Sequence, residues 1–88
     1  MIGMEFSVIH EIHDPAAWQA DLDANLPTPK ELSLLAFMEA KDKSRAMCIW
    51  RAPDQETLQQ HVDKNHGRGS VNVVIPIDLH HFAEAEPD

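Results

Sequence analysis

Histidine is the reactive side chain that this sequence offers most often. Neutral imidazoles, together with carboxylates, are suitable ligands for nickel, zinc, copper and iron. A transition-metal site is therefore the first chemistry that these residue types suggest, and the question is whether the chain can bring them together. The six histidines are His10, His13, His61, His66, His80 and His81.

The spacing of the histidines does not by itself make a ligand pair. His10 and His13 are three residues apart on a predicted strand, so their side chains point to opposite faces unless the strand ends between them. His61 and His66 are five apart on a predicted helix, whereas stacked ligands are three or four apart. Near a helix C-terminus, histidines also have an alternative role, because they favour the negative end of the helix dipole.

The elements that must position these histidines follow from the apolar pattern. Alternating apolar residues predict strands, and apolar residues at helical spacing predict helices. Asp14 before Pro15 is a typical helix start, and Asp54 is a second candidate N-cap. The predicted elements are strand 4–12, helix 15–26, strand 31–40, strand 45–51, helix 55–66 and strand 71–79.

This order of elements favours an α+β fold, the ferredoxin-like β-α-β-β-α-β sandwich. Its sheet has four antiparallel strands in the order 4-1-3-2, with both helices on one face. Pro76 supports this order, because a proline within a strand belongs at a sheet edge and strand four is an edge strand. The chain length predicts a single domain, residues 1–82, followed by an acidic flexible tail, residues 83–88.

The predicted fold brings four of the histidines to one pole of the sandwich. Strand one and helix two end there, whereas strand four runs away from it and leaves His80 and His81 at the opposite pole. Carboxylates near the same pole could add ligands. The predicted metal is nickel or zinc, and the predicted ligands are His10, His61, His66 and His13.

The second face of the sheet carries too many large apolar residues for a free surface. In this fold the helices cover one face only, and an uncovered apolar face usually marks an interface. Two sheets packed face to face would bury it, at about 25 cal/mol per Å². We therefore predict a homodimer of the dimeric α/β-barrel kind. The residues expected on this face are Ile9, Leu35, Phe37, Val74, Met47 and Ile49.

The net charge and the cysteine content limit the classes of binding partner and the cellular compartment that we expect. The net charge of −8 disfavours nucleic acid and anionic membranes, since both bind basic surfaces. No segment reads as a signal peptide or a membrane span. Cys48 is the only cysteine and lies in an apolar run, which is typical of a small buried residue in a reducing compartment, so we expect a cytoplasmic protein. Asp21 and Asp23 fall on the polar side of helix one, where solvation is the usual role.

One part of the sequence resembles a known family. The run from Met47 to Glu56, followed by Leu58 and His61, is similar to the segment that joins the third strand to the second helix in a family of small bacterial proteins of unknown function. That family includes a nickel-binding member. The opening Val8-Ile9-His10 is similar to the family's first strand. The resemblance implies a ferredoxin-like dimer, and it implies His10 and His61 as metal ligands.

Two other functions stay open beside a metal-binding or sensing module. One is a small-molecule binder or enzyme of the dimeric α/β-barrel kind, resembling antibiotic-biosynthesis monooxygenases, with a pocket between the helices and the sheet. It predicts a closed apolar pocket of roughly a few hundred Å³ with one or two polar groups at its mouth. The other is a purely structural or interaction dimer. No residue is predicted to be catalytic.

Overall fold

The computed structural model describes residues 3–24 and 27–80, and every structural statement below refers to these ranges. The predicted tail, residues 83–88, and His81 lie outside the described residues. The described elements are β1 Met4–Ile12, α1 Pro15–Ala24, β2 Ser33–Glu39, β3 Arg45–Ala52, α2 Gln55–His66 and β4 Ser70–Pro76.

The four strands form one antiparallel sheet in the order β2-β3-β1-β4. This is the predicted order counted from the opposite edge, so the α+β prediction and the sheet topology are confirmed. β4 is an edge strand and ends at Pro76, three residues earlier than predicted. The missing N–H of proline is tolerated at this edge, and the next N–H, that of Ile77, still donates to the Glu5 carbonyl at 3.0 Å.

Both helices begin where their capping residues predict. The Asp14 carboxylate accepts a hydrogen bond from the Ala17 N–H at 3.1 Å, and Pro15 is the first residue of α1. The Asp54 carboxylate accepts from the Thr57 N–H at 2.7 Å. Each bond satisfies a backbone donor that the first helical turn leaves without a partner. Neither of these two helices has the length and apolar content needed to cross a membrane.

The hydrophobic core lies between the sheet and α2. α1 is attached more sparsely, because Trp18 is its one buried residue, with 1% of its surface exposed. Alternation along the strands explains the division, since every second residue of β1 and β3 turns toward the helices. The core residues include Phe6, Val8, Leu32, Trp50, Leu58 and Val62.

The loop before β4 passes close to the start of α1 and fixes its position. The Gly69 carbonyl accepts hydrogen bonds from the N–H groups of His13, at 2.9 Å, and Asp14, at 3.1 Å. A Cβ atom at position 69 would lie 2.6 Å from the Trp18 nitrogen, so glycine is required at this crossing. The contact holds Trp18 over the pole where β1 and α2 both end.

A bulge in β2 corrects one prediction about the uncovered face. The register shifts between Leu34 and Ala36, and Phe37 then pairs with Cys48. Phe37 therefore lies on the helix-facing side, where its ring stacks on Trp18 with centroids 6.4 Å apart. The prediction that Phe37 lies on the opposite face is wrong, because one extra residue in a strand reverses the alternation after it.

The register of β4 corrects a second prediction. Val74 pairs with Val8 and is 5% exposed, so it belongs to the core and not to the uncovered face. Its neighbours in the strand, Val73 and Ile75, take the exposed positions instead, together with Val71. The strand is as apolar as expected, but its inward and outward sets are exchanged.

We call the sheet surface turned away from the helices the open face. An ion pair between β1 and β3 lies at each end of this face. Glu5 pairs with Arg51, and Glu11 pairs with Arg45, both at 3.2 Å. Between these pairs the surface is apolar. The apolar residues on the open face include Ile9, Leu35, Met38, Met47, Ile49, Val71, Val73 and Ile75.

Candidate functional site

A pocket of about 160 Å³ lies between α1, α2 and the helix-facing side of β2 and β3. We call it the interhelix pocket. Its volume corresponds to about five water molecules at liquid density. The residues of its wall that matter for chemistry are Asp21, Leu34, Trp50, His61, Asn65 and His66.

Three residues of this wall each carry a buried side-chain atom with no hydrogen-bond partner in the described chain. These atoms are Asp21 Oδ2, Trp50 Nε1 and His66 Nδ1. Leaving such a group unpaired costs about 1–3 kcal/mol, so unpaired buried groups call for an explanation. The three residues that carry these atoms all line the same cavity.

Asp21 is held in place from outside the pocket. One carboxylate oxygen accepts a hydrogen bond from the Arg68 guanidinium, which is itself mostly exposed. This hydrogen bond raises the pKa of Arg68, so the guanidinium stays charged. The Asp21 side chain is only 10% exposed, and its second oxygen is the one left unpaired.

Trp50 is 6% exposed and forms the sheet side of the wall. Its ring meets His61 edge to face, with centroids 5.5 Å apart. The indole acts on the Cys48 thiol as a nearby donor does, although no hydrogen bond of regular geometry joins them, and sulfur is a weak acceptor in any case. Burial raises the pKa of the Cys48 thiol to about 12, and the smaller effect of the indole opposes this rise. The cysteine is thus buried, as predicted, and is no nucleophile at neutral pH.

The two histidines of the wall are neutral at pH 7. Burial lowers the pKa of His61, and the charge of Lys64 lowers it further. The Asn65 amide nitrogen lies 3.2 and 3.1 Å from the two ring nitrogens of His61, so it can donate to only one of them. Burial also lowers the pKa of His66, with a further contribution from His10. Because both imidazoles are neutral, these two rings add no positive charge to the pocket.

His10 lies next to the pocket but is fully engaged in the core. Its Nδ1 is 2.6 Å from Asn72 Oδ1, and its Nε2 is 3.2 Å from Cys48 Sγ. The Asn72 amide nitrogen donates to Asp63 at 3.1 Å, which fixes the carbonyl oxygen toward His10. His10 Nδ1 therefore carries the proton, and Nε2 accepts from the thiol. Burial lowers the pKa of His10 although the Asn72 bond opposes this.

The structure brings some of the predicted metal ligands together and leaves one apart. The rings of His10 and His66 are 5.7 Å apart, and His61 and His66 share the interhelix pocket. His13 is exposed beside the start of α1. Within residues 3–24 and 27–80, no three His, Cys, Asp or Glu side chains form a group that could hold a metal ion. Nickel or zinc binding stays a prediction.

Sequence reasoning missed Asp21, which it assigned to the solvated side of α1. A signal was present, since Asp21 lies three residues after Trp18 and residues three apart share a helix face.

Trp18 is also held by a polar bond, because its indole donates to Glu39 at 2.9 Å. This bond lowers the pKa of Glu39 more than its second bond, to Lys43, does.

Comparison with known proteins identifies no relative of this chain. No protein-family model, no curated protein and no solved structure matches it significantly. The family resemblance of the segment from Met47 to His61 therefore stays a prediction, and the function has to be argued from the geometry alone.

Proposed function

We propose that this chain is a small-molecule-binding protein that works as a homodimer, with its ligand in the interhelix pocket. The observation that carries the proposal is that three residues lining one cavity, Asp21, Trp50 and His66, each carry a buried and unpaired polar atom. Pockets that bind small molecules combine apolar walls with a few convergent polar groups. Leu22 and Leu34 supply apolar surface here.

Binding is a better proposal than catalysis for this pocket. The nearest nucleophile, Cys48, is held as a thiol, because burial raises its pKa to about 12. His10, next to the pocket, uses both ring nitrogens in bonds to Asn72 and Cys48, so the imidazoles on the wall itself are those of His61 and His66. No nucleophile among the described residues is activated beside these two rings, which is why we favour binding over a monooxygenase-like activity. The free buried thiol of Cys48 is in keeping with a cytoplasmic setting.

The open face is the surface that we assign to the second copy. Its apolar centre is large for a surface left in water. The charged strand residues that point to this face are two acidic and two basic, all four engaged in ion pairs across β1 and β3, whereas the whole chain has a net charge of −8. A balanced face can meet its own copy without the repulsion that the rest of an acidic surface would impose.

A divalent metal ion is the second candidate for the same pocket. Asp21, His61 and His66 all line it, and these are ligand types that nickel and zinc accept. The side chains would have to move together to share one ion, since they form no such group in the structure. His10 would first have to give up a hydrogen bond. These rearrangements make the metal the less favoured occupant.

The test is a binding screen read by nuclear magnetic resonance on the ¹⁵N-labelled protein. A library of small polar molecules, and separately nickel and zinc, are added while the signals of the Trp50 indole and of His61 and His66 are followed. We expect at least one small molecule to move these signals. Leu34→Trp, which narrows the pocket, should abolish the response. Met4→Trp, at an equally exposed apolar residue outside the pocket wall, should preserve it.

Two outcomes would count against the proposal. If nickel or zinc alone moves the histidine signals, the occupant is a metal. If Leu34→Trp and Met4→Trp respond alike to a molecule that binds, the molecule sits elsewhere and the interhelix pocket is not its site.

A further inference from the structure

We infer that the ligand of the interhelix pocket is an uncharged molecule that carries a hydrogen-bond donor beside an acceptor, as a carboxamide, a urea or an alcohol does. This inference rests on the proposed function and names the chemical class that the site would take. It follows from the hydrogen-bonding roles of the unpaired atoms, from the charges around them and from the volume of the cavity.

The unpaired atoms on the wall have opposite hydrogen-bonding roles. Asp21 Oδ2 can only accept, and Trp50 Nε1 can only donate. A metal ion or an ammonium group would satisfy Asp21 but would leave the Trp50 N–H without an acceptor. A carboxylate would do the reverse. A molecule with both roles satisfies both atoms, and His66 Nδ1 can take either role in its neutral ring.

The charged side chain on the pocket wall is already paired, although the chain as a whole is strongly acidic. Asp21 is bonded to Arg68, and the further charged side chains that act on His61 are Glu31 and Lys64, of opposite sign. Asp14 adds a further acidic group beside Arg68. An ion entering this partly buried site would lose its hydration, and it would find the Asp21 charge already opposed by Arg68.

The size of the cavity limits the ligand to a small molecule. At the packing density of a protein interior, about 160 Å³ accommodates roughly six to eight non-hydrogen atoms. The unpaired atoms have almost no exposed surface, so an entering molecule must part the side chains of the wall. α1 is the element best able to yield, because it contacts α2 and the sheet only sparsely.

Three probes with equal numbers of non-hydrogen atoms separate the classes: butyramide, butyrate and pentylammonium. They are titrated into the ¹⁵N-labelled protein, which has only two indole N–H signals. Trp18 serves as the internal reference, since its indole already donates to Glu39. We expect butyramide to shift the Trp50 signal downfield and to bind at least about tenfold more tightly than either charged probe, because each of these leaves one buried group unpaired.

Substitutions then test whether Asp21 contacts the bound butyramide. Asp21→Ala should weaken butyramide binding by at least about fivefold, since the acceptor is lost. Asp23→Ala, on the same helix but exposed, should leave it unchanged. Arg68→Gln removes the ion pair but keeps the unpaired oxygen, and it should weaken binding less than Asp21→Ala. Thermal unfolding of each variant shows whether the fold is retained.

The outcomes distinguish this inference from the proposed function. If butyrate or pentylammonium binds as tightly as butyramide, or if Asp21→Ala and Asp23→Ala behave alike, the inferred class is wrong although the pocket is still a binding site. If nickel or zinc moves the signals of His61 and His66 while butyramide moves nothing, the occupant is a metal. If no probe and no metal affects any pocket signal, both the class and the proposed function fail.

Discussion

The two sides of the sheet are built from the same strands and yet differ in every property that bears on function. On the helix-facing side, buried polar residues such as His10, Ser70 and Asn72 lie among the apolar core. On the open face the exposed residues are mainly apolar, and the charges are paired at the two ends. Alternation along one strand can therefore supply a ligand-binding side and an association side at once.

The polar residues of the helix-facing side form a connected network. Asn72 Oδ1 accepts from His10 at 2.6 Å and from the Ser70 hydroxyl at 2.7 Å, and its amide nitrogen donates to Asp63. A buried network in which each member is paired makes a rigid and specific arrangement. The unpaired atoms of the interhelix pocket stand out against it, which is why we assign them to a ligand.

The largest expected effect is on the helix-facing side. Trp18→Ala removes the one buried side chain of α1, together with its ring contacts to His10, His66 and Phe37. We expect a loss of about 3–5 kcal/mol in the free energy of unfolding, as for other large-to-small changes in a core. Urea unfolding followed by circular dichroism measures it. A loss below about 1 kcal/mol would mean that α1 is held by something else.

On the open face, a charge should change association and leave the fold intact. Val73→Asp introduces an unpaired carboxylate into the apolar centre of that face, where Val73 is 47% exposed. We expect the variant to sediment as a folded 9.9 kDa monomer, while the parent chain sediments as a dimer at the same concentration. Gln60→Asp, on the exposed side of α2, is the matched control and should remain dimeric. A monomeric parent chain would contradict the assignment of this face.

Acid should destabilise the helix-facing side through its buried histidines. Burial lowers the pKa of His10, His61 and His66 in the folded chain, so below about pH 6.5 the unfolded chain takes up protons that the folded chain does not. The free energy of unfolding should therefore fall as the pH drops below 6.5, until the lowered pKa values are passed. Above about pH 7.5 these groups should contribute little pH dependence, because the unfolded chain then binds few protons at its histidines.

Unfolding in urea between pH 7.5 and pH 5 measures this dependence. His61→Gln should flatten the curve, because one of the three groups is removed. His13→Gln, at an exposed side chain, should leave the curve as it is in the parent chain. Equal slopes for the two variants would show that burial of His61 does not govern the response.

A smaller effect is expected at the start of α2, which lies outside both surfaces. Asp54→Ala removes the carboxylate that accepts from the Thr57 N–H at 2.7 Å. Loss of an N-cap of this kind costs about 1 kcal/mol. We expect this decrease in the free energy of unfolding, with unchanged association and unchanged ligand binding. A change in association or in ligand binding would mean that the start of α2 influences the open face or the interhelix pocket.

Much of the fold could be predicted from local patterns. Inward and outward residues alternate along most of β1, and the capping residues Asp14 and Asp54 lie where the helices begin, so the order of elements and the sheet topology followed from periodicity and turn chemistry. Phe37 was misplaced because a bulge depends on how two strands pair, which no local pattern of β2 records. Val74 was misplaced because polar Ser70 and Asn72 share its inward side of β4, while the outward side is apolar, the reverse of the usual pattern.

The candidate site was harder to predict than the fold. His61 and His66 were singled out by residue type, and both line the interhelix pocket. Asp21 was not, because its burial depends on Arg68, which lies 47 residues away in the chain. His10 was chosen as a ligand, but its bonds to Asn72 and Cys48 arise from neighbouring strands that meet only in the folded sheet. Residue type indicates possible chemistry, whereas tertiary neighbours decide which atoms remain available.

A high-resolution crystal structure of the protein grown with butyramide tests the central claim most directly. We predict a molecule in the interhelix pocket that donates a hydrogen bond to Asp21 Oδ2 and accepts one from Trp50 Nε1. A pocket closed by protein side chains, with these two atoms paired to other residues of the chain, would contradict the claim that the helix-facing side is a ligand site.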